Sequence, residues 1–296
     1  MSDYSYFIIM TAKILAAQPL VEQIKKDLKS RCESLKSRGT VPSMCVVLVG
    51  DNPASLSYVK NKKKMCEEIG AKFDLLKLPA TVSESDFLSH LDRLNNNPSI
   101  HGIIIQLPVS EPLKKLNLPN LILPKKDIDG FHGLNTQAIY TGTTDLKLLL
   151  PCTPKGIIHL LQFYGFSLNG KHIVILGRSL IVGKPLSMLL SNFNATVTLA
   201  HSQTQNLKNI TKTADILISA MGKTHYIDAS YLDPTKKTIL IDVGMNTLDG
   251  KLTGDIAPDA KEIAGAWSPV PGGVGPMTVV TLIENLVTTT ENQMKG

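Results

Sequence analysis

Aromatic residues are scarce in this 296-residue chain, at 5%. That scarcity qualifies its net charge of +6. The lysines are dispersed, and no basic stripe is interleaved with the stacking aromatics that a nucleic-acid surface uses. Nucleic acid is therefore a poor fit, whereas a positive surplus suits anionic small molecules such as phosphates or polyglutamates. The four cysteines, Cys32, Cys45, Cys66 and Cys152, form no C-x-x-C pair. Their spacing suggests neither zinc nor a disulfide framework, and a reducing cytoplasm is the simple inference. No apolar run reaches the length of a membrane span. The N-terminal "YFIIM" is too short for a signal sequence and has no basic segment before it. The first arginine is Arg31, which argues against a mitochondrial transit peptide. Residues 1–9 read as an extension ahead of a second possible start at Met10.

What is present is alternation. "CVVLVGD" (45–51), "KFDLLKLP" (72–79) and "GIIIQLP" (102–108) read as buried strands, with helix candidates at about 17–38, 54–69 and 84–96. A second set follows: "HIVILG" (172–177), "TVTLAH" (196–201), "DILISA" (215–220) and "TILIDVG" (238–244). Continuous Val/Ile/Leu strands alternating with helices predict parallel sheets covered on both faces. The fold class is therefore α/β, with two three-layer domains, the second Rossmann-like, and a cleft between them. A Pro/Thr/Gly-rich stretch at 140–156 separates the two sets. The expected division is residues 1–150, joined by a C-terminal helix over 277–296, and residues 151–276.

"SYVKNKKKMCEEIG" (57–70) places one tyrosine before a run of lysines. The stretch predicts a helix capped by Ser55 or Ser57 and ended by Gly70. Residues four apart share a helix face, so Lys62 lies beside Tyr58 while Lys60, Lys63 and Lys64 point elsewhere. Glu67 and Glu68 are i+4 partners for Lys63 and Lys64, as expected of a solvated face.

"HIVILGRSLIVGKPLSMLL" reads as a strand, a Gly-bearing turn and a helix, an arrangement that offers backbone N–H groups to a phosphate. Its Gly177-to-Gly183 spacing is not G-x-G-x-x-G, so the turn alone fits a tight connection equally well. The next strand ends in "AHSQT" and lacks the acid that usually holds the ribose 2′-OH of NAD. His201 and Ser202, with Arg178 nearby, suit a 2′-phosphate, which predicts NADP over NAD. "IDVGMN" (241–246) ends a strand at the same sheet edge, where the Gly244–Met245 backbone can line the nicotinamide side. Asp242 reads equally well as an end-of-strand carboxylate.

Three further stretches carry candidates. "PVPGGVGPMTV" (269–279) packs prolines and glycines around a helix start and lets backbone approach a ligand. Gln106 in "QLPV" stands at a strand's carboxyl end, where open parallel sheets bind ligands. "PKKDIDGFH" (124–132) holds Asp127 and Asp129 without further acids at metal-ligand spacing, so no metal site is expected. One aspartate suits an amidine-like edge and the other a turn cap, and the residues leave open which is which.

Taken in order, "YVKNK", "QLPV", "KDIDGF", "PCTPKG", "GRSLIVGKP", "HSQT", "DVGMN", "GDI" and "PVPGGVGPMTV" resemble the bifunctional methylenetetrahydrofolate dehydrogenase/methenyltetrahydrofolate cyclohydrolase family from about residue 10 to the C-terminus. The resemblance implies hydride transfer from 5,10-methylenetetrahydrofolate to NADP⁺, then hydrolysis of the methenyl cation to 10-formyltetrahydrofolate. It implies catalytic roles for Lys62, Tyr58, Gln106 and Asp129. It implies a folate site of Tyr58, Lys62, Ile105, Gln106, Leu107, Asp129, Pro271, Gly272, Gly273, Val274 and Gly275. It places the cofactor on Gly177, Arg178, Ser179, Ser202 and Met245, and it implies a cytosolic homodimer. In this reading Tyr58 stacks on the folate ring. A methenyl cation disfavours a protonated lysine beside it, which leaves Lys62 to act as general base. Gln106 holds Lys62, and Asp129 meets the pterin N–H donors.

Two stretches depart from the family pattern. "KILAAQPL" lacks the usual Asp-Gly-Lys, and "DLKLLLPCTP" (145–154) is an unusual run into the linker. Rival readings are an NAD-dependent dehydrogenase alone and a non-catalytic NADP-binding protein of the same fold. The intact Tyr58/Lys62/Gln106 set argues against the first, and the retained lysine and aspartate argue against the second.

Overall fold

A computed structural model describes residues 12–295. The N-terminal extension over 1–9, Met10 and the last residue of the expected 277–296 helix lie outside the described residues. The first half runs β1 (Lys13–Ile14), α1 (Gln18–Ser37), β2 (Ser43–Val49), α2 (Pro53–Glu68), β3 (Lys72–Leu78), α3 (Glu84–Asn96), β4 (Gly102–Gln106), α4 (Glu111–Lys114) and α5 (Gly133–Tyr140). The second half runs α6 (Cys152–Phe163), β5 (His172–Leu176), α7 (Gly183–Asn192), β6 (Thr196–Ala200), α8 (Leu207–Lys212), β7 (Ile216–Ser219) and β8 (Ile239–Asp242). It closes with β9 (Asn246–Leu248), β10 (Lys251–Thr253), α9 (Pro258–Ile263), β11 (Ala266–Trp267) and α10 (Val274–Gln293).

Two parallel sheets result, in the order β3-β2-β4 and β1-β11-β8-β7-β5-β6. Strand side chains alternate between faces, and here both faces are apolar because helices cover both. Along the first sheet, Met44, Val46 and Ile104 face α1, α2 and α10. Cys45, Val47, Ile103 and Ile105 face the other way, onto Phe87 and Leu91 of α3. Along the second sheet, Ile173, Ile175, Ile216 and Ile218 face α6 and α7, while Val174, Leu176, Leu217 and Leu240 face α9. The α/β three-layer expectation therefore follows from the pattern of each strand.

Helix α10 packs along α1, α2 and α6, so one apolar core runs continuously between the sheets. Arg31 of α1 clamps it at the surface, donating from Nε and Nη2 to the two oxygens of Glu291 at 2.9 and 2.8 Å. A planar guanidinium meeting a carboxylate this way fixes both distance and orientation.

Three details differ from the sequence reading. Asn52, not Ser55 or Ser57, caps α2, its Oδ1 accepting the Ser55 N–H at 3.1 Å. Pro53 explains the shift, because its fixed φ suits the first helical position. Helix α10 begins at Val274, ahead of Pro276, since a proline in the first turn loses no hydrogen bond. The two-residue strand β1 joins the edge of the second sheet through β11, a pairing too short to leave a periodic signal.

Leu286 is fully buried on α10 in the shared core. Leu286→Ala should cost about 2–5 kcal/mol of stability, read as a lower urea midpoint.

Candidate active site

The carboxyl end of β4 delivers Gln106 to a point beside α2. Lys62 Nζ donates to Gln106 Oε1 at 3.0 Å. Gln106 Nε2 donates in turn to the Leu107 carbonyl at 2.9 Å, which fixes which end of the amide faces the lysine. Lys62 is half-buried, whereas Lys60, Lys63 and Lys64 are exposed. Lys63 and Lys64 stand 3.8 and 3.9 Å from Glu67 and Glu68, spacings at which exposed pairs contribute little.

The two aspartates after β4 separate clearly. Asp127 is spent on its own turn, accepting from the backbone N–H of Gly130 at 3.1 Å and His132 at 2.7 Å, and from Asn135 Nδ2 at 2.9 Å. Asp129 accepts no hydrogen bond among the described residues. Burial pushes its carboxyl up to about 6; the nearby Lys62 charge opposes this rise and Asp127 adds to it. An unpartnered carboxylate near a lysine is costly to keep and marks a place where a ligand supplies the donors.

Tyr58 lies one turn before Lys62 and is half-buried, and burial raises its phenol. Its hydroxyl touches Met245 Sδ across the gap between the sheets. A cavity of about 390 Å³ opens beside this pair, lined by Tyr58, Asn61, Met245, Pro271, Gly272 and Gly275 among others. Lys62, Gln106 and Asp129 do not line it. Tyr58 lines the cavity and lies one helical turn from Lys62.

The "PGGVG" run divides by depth. Pro271, Gly272 and Gly275 face the cavity, while Gly273 and Val274 are buried. Val274 belongs to the apolar core. A Cβ on Gly273 would lie 2.7 Å from the Pro269 carbonyl oxygen, so only glycine fits there. Gly272 has φ +108°, and its carbonyl accepts the Ala17 N–H at 2.8 Å. Ile105 is likewise buried, with its side chain in the core, whereas Leu107 is exposed.

Gly177, Arg178, Ser179, Ser202 and Met245 all fall at the carboxyl edge of the second sheet. Gly177 has φ +119°, and a Cβ there would collide with the Ala220 carbonyl. A Cβ on Gly183 would collide with the Gly177 carbonyl. Ser179 Oγ accepts the N–H groups of Val182 at 3.2 Å and Gly183 at 3.4 Å, shaping the turn into α7. Arg178 and Ser202 are exposed at neighbouring strand ends. His201 is partly committed, its Nδ1 accepting the Gln203 N–H at 3.2 Å. The turn therefore fits a dinucleotide: bare backbone, a helix start and an exposed guanidinium, with no acid at the end of β6.

Asp242 is an end-of-strand clasp, accepting the N–H groups of Gly244 and Asp255 at 3.0 Å and of Ile256 at 2.9 Å. Asp255, which the "GDI" motif contained without revealing its role, gathers the loop after β7. It accepts from the N–H groups of Met221 at 2.8 Å, Gly222 at 3.2 Å and Lys223 at 2.8 Å. Asn61 and Met65 also line the cavity and were not anticipated, although their spacing from Tyr58 puts them on its helix face. Among the described residues no cluster of three or more His, Cys, Asp or Glu is arranged to hold a metal. No described helix is long and apolar enough to cross a membrane.

The raised Asp129 carboxyl has a sign in stability. Between its ordinary value of 3.8 and about 6 the folded chain holds a proton that the unfolded chain has released. Stability from this group is therefore present at low pH and lost as pH rises through about 6. Asp129→Asn should raise Tm by about 2–6 °C at pH 8 and leave it nearly unchanged at pH 4, as read in thermal melts.

The fold agrees with that of known proteins. The bifunctional protein FolD of Halalkalibacterium halodurans is 46% identical over 279 residues, covering 94% of this chain and 98% of that relative. The FolD crystal structure from Campylobacter jejuni superimposes with a TM-score of 0.91 at 38% identity, covering 95% of this chain and 99% of that one. The Trypanosoma brucei methylenetetrahydrofolate dehydrogenase-cyclohydrolase, complexed with NADP cofactor and inhibitor, has a TM-score of 0.90 at 30% identity, covering 96% and 99%. The model of the tetrahydrofolate dehydrogenase/cyclohydrolase catalytic domain matches residues 15–129, and that of the NAD(P)-binding domain matches residues 151–294. The chain belongs to the tetrahydrofolate dehydrogenase/cyclohydrolase family.

Proposed function

We propose that the Lys62–Gln106 pair and Asp129 form the active centre at which this chain oxidises 5,10-methylenetetrahydrofolate and hydrolyses the product. The single observation behind this reading is the half-buried Lys62 Nζ held 3.0 Å from Gln106 Oε1, near an aspartate without a partner. When bound, NADP⁺ supplies the hydride acceptor. The chain's own part in that step is orientation: Met245 and the clasped loops at the second sheet edge bring the cofactor side against Tyr58. Asp129 takes the pterin's N–H donors and sets which face of the folate turns toward the cofactor. Tyr58 packs on the aromatic ring, and Pro271, Gly272 and Gly275 offer bare backbone to its flank.

Loss of hydride leaves a methenyl cation between N5 and N10. Water adds to that carbon, and Lys62 accepts the proton while Gln106 holds the amine in line. As the carbon–N5 bond breaks, N5 takes the proton back from Lys62 and the new hydroxyl loses its proton to solvent, leaving the formyl group on N10. Arg178 and Ser202 hold the 2′-phosphate that distinguishes NADP from NAD, with Gly177 and Ser179 shaping the phosphate turn. Residues 1–150 with the C-terminal helix act as the folate unit, and residues 151–276 as the cofactor unit. The positive charge suits a polyglutamylated folate. The reading includes a homodimer in the cytoplasm; the buried free cysteines bear only on the compartment, where they suit reducing conditions.

The deciding assay supplies methylenetetrahydrofolate with NADP⁺ or NAD⁺ and follows reduced nicotinamide and 10-formyl product separately. Reduction with NADP⁺ and formyl product is expected; turnover with neither cofactor in folded protein would sink the reading. Lys62→Gln should lower cyclohydrolase kcat by about 10²–10⁴-fold and spare more of the dehydrogenase. Equal survival of both activities would remove the general-base role. Arg178→Ala should raise the KM for NADP⁺ about tenfold or more with little change for NAD⁺, measured by initial rates.

A further inference from the structure

Asn285 sits on the inner face of α10 and is fully buried. Its Nδ2 donates to the carbonyl oxygens of Ile128 at 2.9 Å and Leu150 at 3.1 Å. Its Oδ1 accepts from Lys155 Nζ at 3.0 Å. Lys155 is itself fully buried, and its Nζ stands 2.8 Å from Glu284 Oε2, with His159 Nε2 3.7 Å from the same oxygen. Burial acts to raise the Glu284 carboxyl, but His159 and the Lys155 charge hold it down at about 2. The lysine is therefore matched by a carboxylate and has an N–H left for Asn285.

The two carbonyls belong to the segments that flank Asp129. Ile128 precedes it in the chain. Leu150 lies against Gly130, where a Cβ would collide with the Leu150 carbonyl group. Cys152 Sγ adds a second donor to the Ile128 carbonyl at 3.3 Å. Asp127 already folds the far side of this turn upon itself. The backbone around Asp129 is thus held from two directions, by its own turn and by one amide from α10. A leucine has the same branched shape, but would leave two buried carbonyls without their Asn285 donor. The "DLKLLLPCTP" run, unexplained by the folate reading, acquires a purpose: it brings the Leu150 carbonyl and Cys152 to this node. The same helix begins at Val274 against the cavity loop, so one rigid element carries both the loop and the anchor.

We propose that Asn285 is a positioning residue: through the Ile128 and Leu150 carbonyls it fixes the backbone that presents the Asp129 carboxylate to the pterin. This rests on the folate reading of Asp129. The test is steady-state kinetics on Asn285→Ala, Asp129→Asn and the double variant, beside the unaltered enzyme. Asn285→Ala should raise the KM for methylenetetrahydrofolate about tenfold or more while the KM for NADP⁺ stays within about twofold. In the double variant the folate KM should rise little beyond that of Asp129→Asn alone, since Asn285 acts through Asp129. A lowered Tm with an unchanged folate KM, or losses that simply multiply in the double variant, would show a structural role only and overturn the proposal. If Asn285→Ala does not fold, Asn285→Asp carries the same comparison, because it keeps an oxygen for Lys155 and removes the Nδ2 donor to both carbonyls. If that too fails to fold, the node serves folding and the proposal falls. An unaltered enzyme without folate turnover would instead overturn the functional reading itself.

Discussion

Helix α10 has to bury apolar side chains against α1, α2 and α6 at once, and that demand fixes how the two sheets face each other. Val280, Ile283, Leu286 and Val287 meet the flanking helices in one continuous core. Burial of this kind is non-directional and supplies most of the driving force. Direction comes from a few polar contacts set into it: the Arg31–Glu291 fork at the surface and the Asn285 amide inside. Because the cavity loop runs straight into the start of α10, core packing also decides where Gly272 and Gly275 meet Tyr58.

Four carboxylates at the sheet edges divide the labour of the two halves. Asp127, Asp242 and Asp255 each collect several backbone N–H groups and so hold the loops at the sheet edges. Such fully satisfied groups make a loop rigid where loops are ordinarily mobile. Asp129 alone of this set collects none, and burial pushes its carboxyl up to about 6. A fold that satisfies three carboxylates and leaves the fourth open beside a lysine concentrates its unmet electrostatic demand at one point. Function and instability therefore coincide there, as they do wherever a site is assembled in advance of its ligand.

The continuous Val/Ile/Leu strands revealed both sheets, because strands covered on two faces need no polar residues. Helical spacing singled out Lys62 from its neighbours, since only that lysine shares a face with Tyr58. The same spacing was silent about Gln106, which reaches Lys62 from a strand distant in sequence. It was equally silent about Asp127 and Asp129, which differ in partners and not in type. The "PGGVG" run read as one ligand-facing loop, yet two of its residues turn into the core. Proline and glycine report backbone shape, and shape alone does not say which side is solvent.

What the sequence determined by itself was local: periodicity, the glycines of the β5–α7 turn, and a strand end without an acid. These are properties of neighbours in the chain, and short-range sterics and hydrogen bonding dictate them. What only the tertiary structure decided was which polar groups find partners. Asn285 is an unremarked asparagine in a helix until α10 docks and its amide meets the carbonyls of Ile128 and Leu150. A buried polar group takes its meaning from what surrounds it, and those surroundings come from residues far apart in the chain.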